Sequence, residues 1–179
     1  MNKKIEKIDY QKKIKSRGRL ALIAQKLRQR GKKTVMSGGV FDILHPGHTR
    51  YLQKAKKLGD VLIVAVNSDD SAKKIKGPKR PINNQEIRME MIAALESVDY
   101  VTIFDELTPK EIIAQVKPDM WVKGGQYREE EMPETPIIRR YGGKIKILSI
   151  EEDFSVSGLI GKIIKEKPVK ILLEESSIR

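Results

Sequence analysis

The chain has 179 residues, 39% hydrophobic and 34% charged, with a net charge of +12 and no cysteine. That is the size and balance of one soluble globular domain with a proper core; no run approaches the roughly 20 apolar residues of a membrane span. Without cysteine there are no disulfides and no thiol catalysis, which fits a cytoplasmic protein.

The charge is uneven. Residues 1–33 hold thirteen Lys and Arg against Glu6 and Asp9, so this leader carries +11 and the remainder is nearly neutral. Met1 to Lys15 has no apolar stretch of the kind a secretory signal needs. Residues 1–18 read as a basic extension, either solvated or able to attract RNA or an anionic membrane surface. The domain is expected over 19–166, with a tail over 167–179.

Leu20 to Leu27 places apolar residues at 20, 22, 23, 24 and 27, a near-helical spacing, and Gly31 ends it. Thr34-Val35-Met36 reads as a first strand, followed by Gly38 and Gly39. Thr49 to Leu58 reads as a helix with Tyr51, Leu52, Ala55 and Leu58 on one apolar face. Val61 to Val66 is a continuous apolar run, as in a parallel strand covered on both faces. Lys73 to Pro81 reads as a basic loop, Asn84 to Ser97 as a helix and Tyr100 to Phe104 as a strand. Thr108-Pro109 opens another helix, proline suiting its first turn. Met120-Trp121-Val122 is a short strand running into Lys123-Gly124-Gly125. Ile137 to Tyr141 is a helix, Lys144 to Ile150 a strand, and Ser157 to Lys165 the last helix. Strand and helix alternate throughout, so the expected fold is α/β: a Rossmann-like parallel sheet of about five strands with helices on both faces. Ligands in such sheets bind beyond the carboxyl ends of the strands. That rule gathers the loops after the first, second, fourth and fifth strands at one rim.

Both histidines of the chain lie in His45-Pro46-Gly47-His48, where a strand and a glycine pair hand over to a helix start. A helix N-terminus offers backbone N–H groups and the positive end of a dipole, which suits phosphate. Imidazole donors beside it would neutralise charge building up on a phosphate in transfer. Spacing alone also admits two surface residues or a metal-ligand pair, but the flanking glycines, strand and helix suit a phosphate loop. A metal site would need carboxylates, since there is neither a cysteine nor a third histidine. Glycine in Lys123-Gly124-Gly125 lets a ligand approach the backbone, or makes a plain turn. Ser155-Val156-Ser157 offers an N-cap and N–H groups for triphosphate oxygens, or simple capping. Lys76 and Lys79 are equally readable as loop solvation, and Arg88 as a helix-surface ion pair with Glu86 or Glu90.

The run from Gly39 to His48, Gly39-Val40-Phe41-Asp42-Ile43-Leu44-His45-Pro46-Gly47-His48, resembles the signature of the cytidylyltransferase-like nucleotidyltransferases. These enzymes join a nucleoside triphosphate to a phosphorylated small molecule and release pyrophosphate. Lys76-Gly77-Pro78, Arg80-Pro81, Glu86, Arg88 and Val122-Lys123-Gly124-Gly125 extend the resemblance over residues 20–165. They place it nearest the branch that adenylates D-glycero-D-manno-heptose 1-phosphate, with glycerol-phosphate cytidylyltransferases more distant. The resemblance implies catalytic roles for His45, His48 and Lys76. It implies nucleotide contacts at Gly39, Val40, Phe41, Gly47, Arg88, Gly124, Gly125, Ser155 and Ser157. Contacts to the second substrate are implied at Asp42, Lys79, Arg80 and Lys123.

The implied substrates are ATP, with CTP as the alternative, and a phosphorylated sugar, with a polyol such as glycerol 3-phosphate as the alternative. Mg²⁺ is implied as a cofactor, held by phosphate oxygens and water rather than by a protein cage. No membrane or nucleic-acid partner is implied; related enzymes are often dimers, so a homodimer is admitted. Two departures stand out. Gln126 occupies the place where the heptose enzymes usually carry Asp, and Asp153-Phe154-Ser155-Val156-Ser157 replaces a closing Ser-Thr-Thr or Ser-Thr-Ser. The first removes a carboxylate; the second removes a hydroxyl and adds a negative charge near phosphate. The rival from another class is a nucleotide- or RNA-binding module that kept the fold, lost turnover and uses its basic leader. Glu129 to Glu131 and Glu134 read as a solvated loop over the site.

Overall fold

The computed structural model describes residues 10–149 together with 158, 160 and 161. Its elements in chain order are α1 (Arg17–Gln29), β1 (Thr34–Gly39), α2 (Pro46–Lys56), β2 (Val61–Asn67), α3 (Asp69–Lys76), α4 (Gln85–Ala93), β3 (Tyr100–Phe104), α5 (Lys110–Val116), β4 (Met120–Gly124), α6 (Thr135–Arg140) and β5 (Lys144–Leu148). The strands pair in the order β3-β2-β1-β4-β5 and every pairing is parallel. This is the Rossmann-like α/β sheet the alternation predicts.

Alternate residues of each strand face opposite sides, so the sheet needs two covers. Val35, Val64, Val66 and Val122 pack with Leu52 and Ala55 of α2 and with Ile92 and Ala93 of α4. Met36, Ile63, Ala65 and Trp121 pack on the other side with Leu20 and Ala24 of α1, Ile112 and Ile113 of α5, and Ile138 of α6. Burial of each large apolar side chain contributes about 1.5–3 kcal/mol. β1 has β2 on one side and β4 on the other, so the winding reverses there. In an open parallel sheet that reversal leaves a crevice at the carboxyl ends.

Several boundaries differ from the sequence reading, each for a local reason. β1 runs on through Gly38 and Gly39, and a Cβ at Gly38 would lie 2.9 Å from the Trp121 ring, a tighter approach than a side chain tolerates. α2 starts at Pro46 rather than Thr49, with proline in the first turn. Lys73 to Lys76 is not loop but the end of α3. Ser68 caps that helix, its side chain accepting from the Ser71 N–H. Asp69 and Asp70 in the first turn and Lys73, Lys74 and Lys76 in the last follow the helix dipole. The loop begins only at Gly77. β5 ends at Leu148.

Of the expected extension over residues 1–18, residues 10–18 are described. A 3-10 turn at Tyr10–Lys13 precedes Ile14, which bridges Val101 in parallel, and the Lys15 N–H donates to the Val101 carbonyl at 2.8 Å. Arg17 donates to both oxygens of Glu106, at 2.6 and 2.7 Å, and holds that carboxyl below the usual carboxylate range. Residues 10–18 are therefore joined to the edge of the sheet beside β3. The expected tail and the first nine residues lie outside the described residues. No helix among the described residues is long and apolar enough to cross a membrane.

Candidate active site

A cavity of about 800 Å³ opens at the carboxyl ends of the strands, around the reversal between β1 and β4. Its floor comes from the chain leaving β1. Gly38, Gly39, Val40 and Phe41 line it, and Phe41 adopts a left-handed backbone with φ of 46°. Such a conformation in a bulky residue costs about 1–3 kcal/mol and persists only where packing enforces it. Here it lays the Phe41 ring edge-on to His48, with ring centroids 5.4 Å apart.

His45 is the extended residue before α2, and His48 lies in its first turn. Their rings stack at 3.8 Å and 28°, and both line the cavity. The His48 and Thr49 amides both donate to the His45 carbonyl, at 2.9 and 3.3 Å. Pro46 has no N–H, and Gly47, also expected at the nucleotide, is buried and outside the cavity lining. Burial lowers both imidazole pKa values. That of His48 falls to about 4, burial acting first and the neighbouring His45 adding to it, against the opposing Ile43 carbonyl. Without a ligand both rings are neutral at pH 7. Each then offers one N–H donor, and an arriving polyanion favours a further proton.

Tyr51, one turn after His48, ties the floor together. Its buried hydroxyl donates to the Val122 carbonyl at 2.9 Å and accepts from Ser37 Oγ at 2.7 Å. One side chain of α2 thus bridges β1 and β4 beneath the imidazoles. Burial raises the phenol pKa, so it stays a donor.

The remaining walls divide into two. On the β2 and β3 side, Asn67, Phe104, Thr108 and Pro109 line the cavity, with Lys76 at the exposed end of α3. On the β4 side stand Lys123, Gly124, Tyr127 and Glu134. Lys123 Nζ lies 3.5 Å from Glu134 Oε1 and 5.2 Å from the centre of the Tyr127 ring.

Several residues expected to contact ligand have protein partners or lie outside the cavity lining. Arg88 does not reach the cavity, nor does it pair with Glu86 or Glu90. It is 1% exposed and donates to the Val40 carbonyl (2.6 Å), the Asn83 carbonyl (3.1 Å) and Asp69 Oδ1 (2.8 Å). A guanidinium has donors enough to join three segments in this way, so it braces the chain leaving β1. Asp42 borders the cavity but is committed. Its Oδ1 accepts from the Ile82 and Asn83 amides at 2.8 and 3.0 Å, and its Oδ2 faces Arg80 at 3.0 Å. Arg80 lines the cavity with its charge already matched. Lys79 is exposed and outside the cavity lining. Gly124 lines the cavity, whereas Gly125, with φ of 120°, turns its N–H to the Leu148 carbonyl at 3.0 Å. Glu134 is not solvated: it is 1% exposed. Ser155 and Ser157 lie outside the described residues.

Sequence reasoning missed Tyr51, Asn67, Tyr127 and Glu134. Asn67 closes β2 at the same rim, so the carboxyl-end rule carried the signal for it. Tyr51 reads as a core aromatic, and only the fold shows its hydroxyl joining two strands. No cluster of three or more His, Asp or Glu that could hold a metal ion occurs among the described residues. Asp42 faces Arg80 and Glu134 faces Lys123, the two carboxylates of the lining; a divalent cation would draw most of its oxygens from a bound triphosphate and water.

Residues 36–158 match the family described as Cytidylyltransferase-like. The chain is 49% identical over 150 residues to the bifunctional protein HldE of Pasteurella multocida, covering 84% of this chain and 32% of that protein. It is 52% identical over 139 residues to HldE of Citrobacter koseri, covering 78% and 29%. The chain thus spans about a third of the length of these curated relatives. The crystal structure of a lipopolysaccharide core biosynthesis protein from Thermoplasma volcanium has a TM-score of 0.58 and 36% identity, covering 68% of this chain and 98% of that one.

Proposed function

This chain belongs to the cytidylyltransferase-like family, and from that premise we propose that it is a nucleotidyltransferase that moves AMP from ATP to a sugar 1-phosphate. The acceptor in this reading is D-glycero-D-manno-heptose 1-phosphate. The observation that carries the proposal is the stacked His45–His48 pair at the start of α2, facing the crevice where β1 and β4 part. The similarity to HldE over most of this chain supports the heptose branch. The cysteine-free composition suits the cytoplasmic setting adopted with it.

The reaction asks for positioning and charge neutralisation more than for covalent chemistry. A phosphate oxygen of the acceptor attacks the α-phosphorus of ATP; that P–O bond forms as the bond to the β-phosphate oxygen breaks, and pyrophosphate leaves. Charge grows on the α-phosphate oxygens and on the departing pyrophosphate. His45 and His48 donate N–H bonds to those oxygens, and the nearby amides of Val40 and Phe41 add dipoles fixed before the reaction begins. Lys76, on the opposite wall, meets the acceptor phosphate. Bound Mg²⁺ supplies further charge neutralisation on the triphosphate, and the residues present leave its coordination to phosphate and water.

The test is pyrophosphate release with Mg²⁺, ATP or CTP, and either heptose 1-phosphate or glycerol 3-phosphate. The expected result is turnover with ATP and the heptose phosphate, lost in His48→Ala. Turnover with CTP and the polyol phosphate would reassign both substrates. No turnover with any pair, together with salt-dependent RNA binding that requires residues 1–18, would favour the binding-module reading.

A further inference from the structure

Glu134 presents an unusual situation on the β4 wall. It is 1% exposed, yet its Oε2 has no hydrogen-bond partner among the described residues, and its Oε1 has only Lys123 at 3.5 Å. Burying a carboxylate with so little compensation is unfavourable unless something else meets it. Glu134 also lines the cavity. Asp42 and Glu134 are the two acidic side chains of that lining among the described residues; Asp42 Oδ1 is held by two backbone amides and its Oδ2, also without a hydrogen-bond partner, is charge-matched by Arg80 at 3.0 Å. Glu134 is the less compensated of the two, with one cation at 3.5 Å.

A carboxylate repels phosphate, and Lys123 already supplies a cation at Oε1, so the lone pairs left at Oε2 suit a neutral hydrogen-bond donor. The carboxylate's place beside the sheet says which donor that is. β1 and β4 are paired through Ser37 and Val122, and Gly38 and Lys123 follow these residues at the rim. Adjacent strands lie about 4.8 Å apart, so the Lys123–Glu134 pair stands one strand over from the phosphate floor. In a nucleoside triphosphate the group that far from the α-phosphorus is the ribose, with its 2′ and 3′ hydroxyls. Lys76, the cation for a second phosphate, is on the other wall.

We infer that Glu134, charge-balanced by Lys123, accepts hydrogen bonds from the ribose hydroxyls of the nucleotide and makes the site selective for ribonucleotides. This rests on the nucleotidyltransferase reading above. Ionised carboxylate is acceptor-only, so it rewards hydroxyl donors and nothing else on a nucleoside triphosphate's sugar. Lys123 keeps the carboxylate from opposing the neighbouring phosphates. Tyr127, half exposed beside Lys123, sits at the outer edge of the same wall.

The experiment is calorimetric binding of ATP, 2′-deoxy-ATP and 3′-deoxy-ATP, with Mg²⁺, to the full chain and to Glu134→Gln and Glu134→Asp. The full chain is expected to bind ATP about tenfold or more tighter than at least one deoxy analogue. Glu134→Gln, which keeps one acceptor oxygen but loses the charge, lowers that preference by weakening ATP alone, and Glu134→Asp, which withdraws the carboxylate by one carbon, lowers it as well. Equal binding of all three nucleotides by the full chain overturns the inference. So does an undiminished preference in Glu134→Gln, or a loss confined to the sugar phosphate. If Glu134→Gln does not fold, the Asp variant decides, and a full preference there counts against the inference. Failure of the full chain to bind any nucleotide is a different result and removes the nucleotidyltransferase reading itself.

Discussion

The Arg88 junction and the His45–His48 pair lie on opposite sides of the same short turn and are built in opposite ways. Arg88 is a charge sealed inside the protein with three hydrogen-bonded partners. The two imidazoles are neutral, stacked on each other and face an open cavity. One holds the Val40 carbonyl; the other pair faces whatever binds in front of it. A binding loop needs both, because donors aimed at a ligand are useful only if the backbone behind them cannot relax.

Breaking the rear support should show first in stability. Arg88→Met leaves Asp69 and two carbonyls without their partner and is expected to cost about 3–5 kcal/mol in denaturant unfolding. A loss below about 1 kcal/mol with a large rise in nucleotide KM would instead make Arg88 a ligand. Breaking the front should do the reverse. His48→Ala is expected to lower kcat/KM by about 100- to 1000-fold while leaving unfolding within about 1 kcal/mol of the original. Lys76→Ala sharpens the contrast between the two walls. It should raise KM for the phosphorylated acceptor about tenfold, with nucleotide affinity and thermal stability unchanged, because the side chain is exposed.

The smallest effect is a pH dependence. The folded His48 takes up its proton near pH 4, whereas an unfolded imidazole does so near 6.5. Between those values the unfolded chain binds more protons, so this contribution is complete above about pH 6.5 and is lost as pH falls toward 4. Unfolding curves across that window should show the slope, and His48→Ala should flatten it. A triphosphate opposes the trend by favouring the protonated ring. Nucleotide affinity is therefore expected to tighten from pH 8 to pH 6; affinity that weakens over that range would separate the imidazoles from the phosphates.

The same contrast marks what the sequence could reveal. The alternation of strands and helices needs only local patterns, so the sheet, its covers and the rim were legible from runs such as Val61 to Val66. The imidazole pair was legible because His45-Pro46-Gly47-His48 compresses strand end, turn and helix start into adjacent residues. Arg88, Asp42 and Glu134 were not, since which way a charged side chain faces depends on segments far along the chain. Arg88 meets Val40, 48 positions away, and Asp42 meets Asn83, 41 away. A charge type at a motif position does not distinguish a ligand from a brace; only the partner does.

The seam between β1 and β4 also bears on how the chain acquires its site. Thr34 and Asp119, joined at the start of that seam by hydrogen bonds of 2.7 and 2.8 Å, are 85 positions apart. Parallel pairing over such a loop is slow, because its closure entropy precedes the reward. The cavity floor from β1 and the Lys123 wall meet across this seam. A nascent chain that has made β1 through β3 thus holds both histidines but half a pocket. Nucleotide capture then becomes a reporter of finished folding, and its appearance in a refolding time course should coincide with the burial of Trp121, whose fluorescence marks the moment β4 docks.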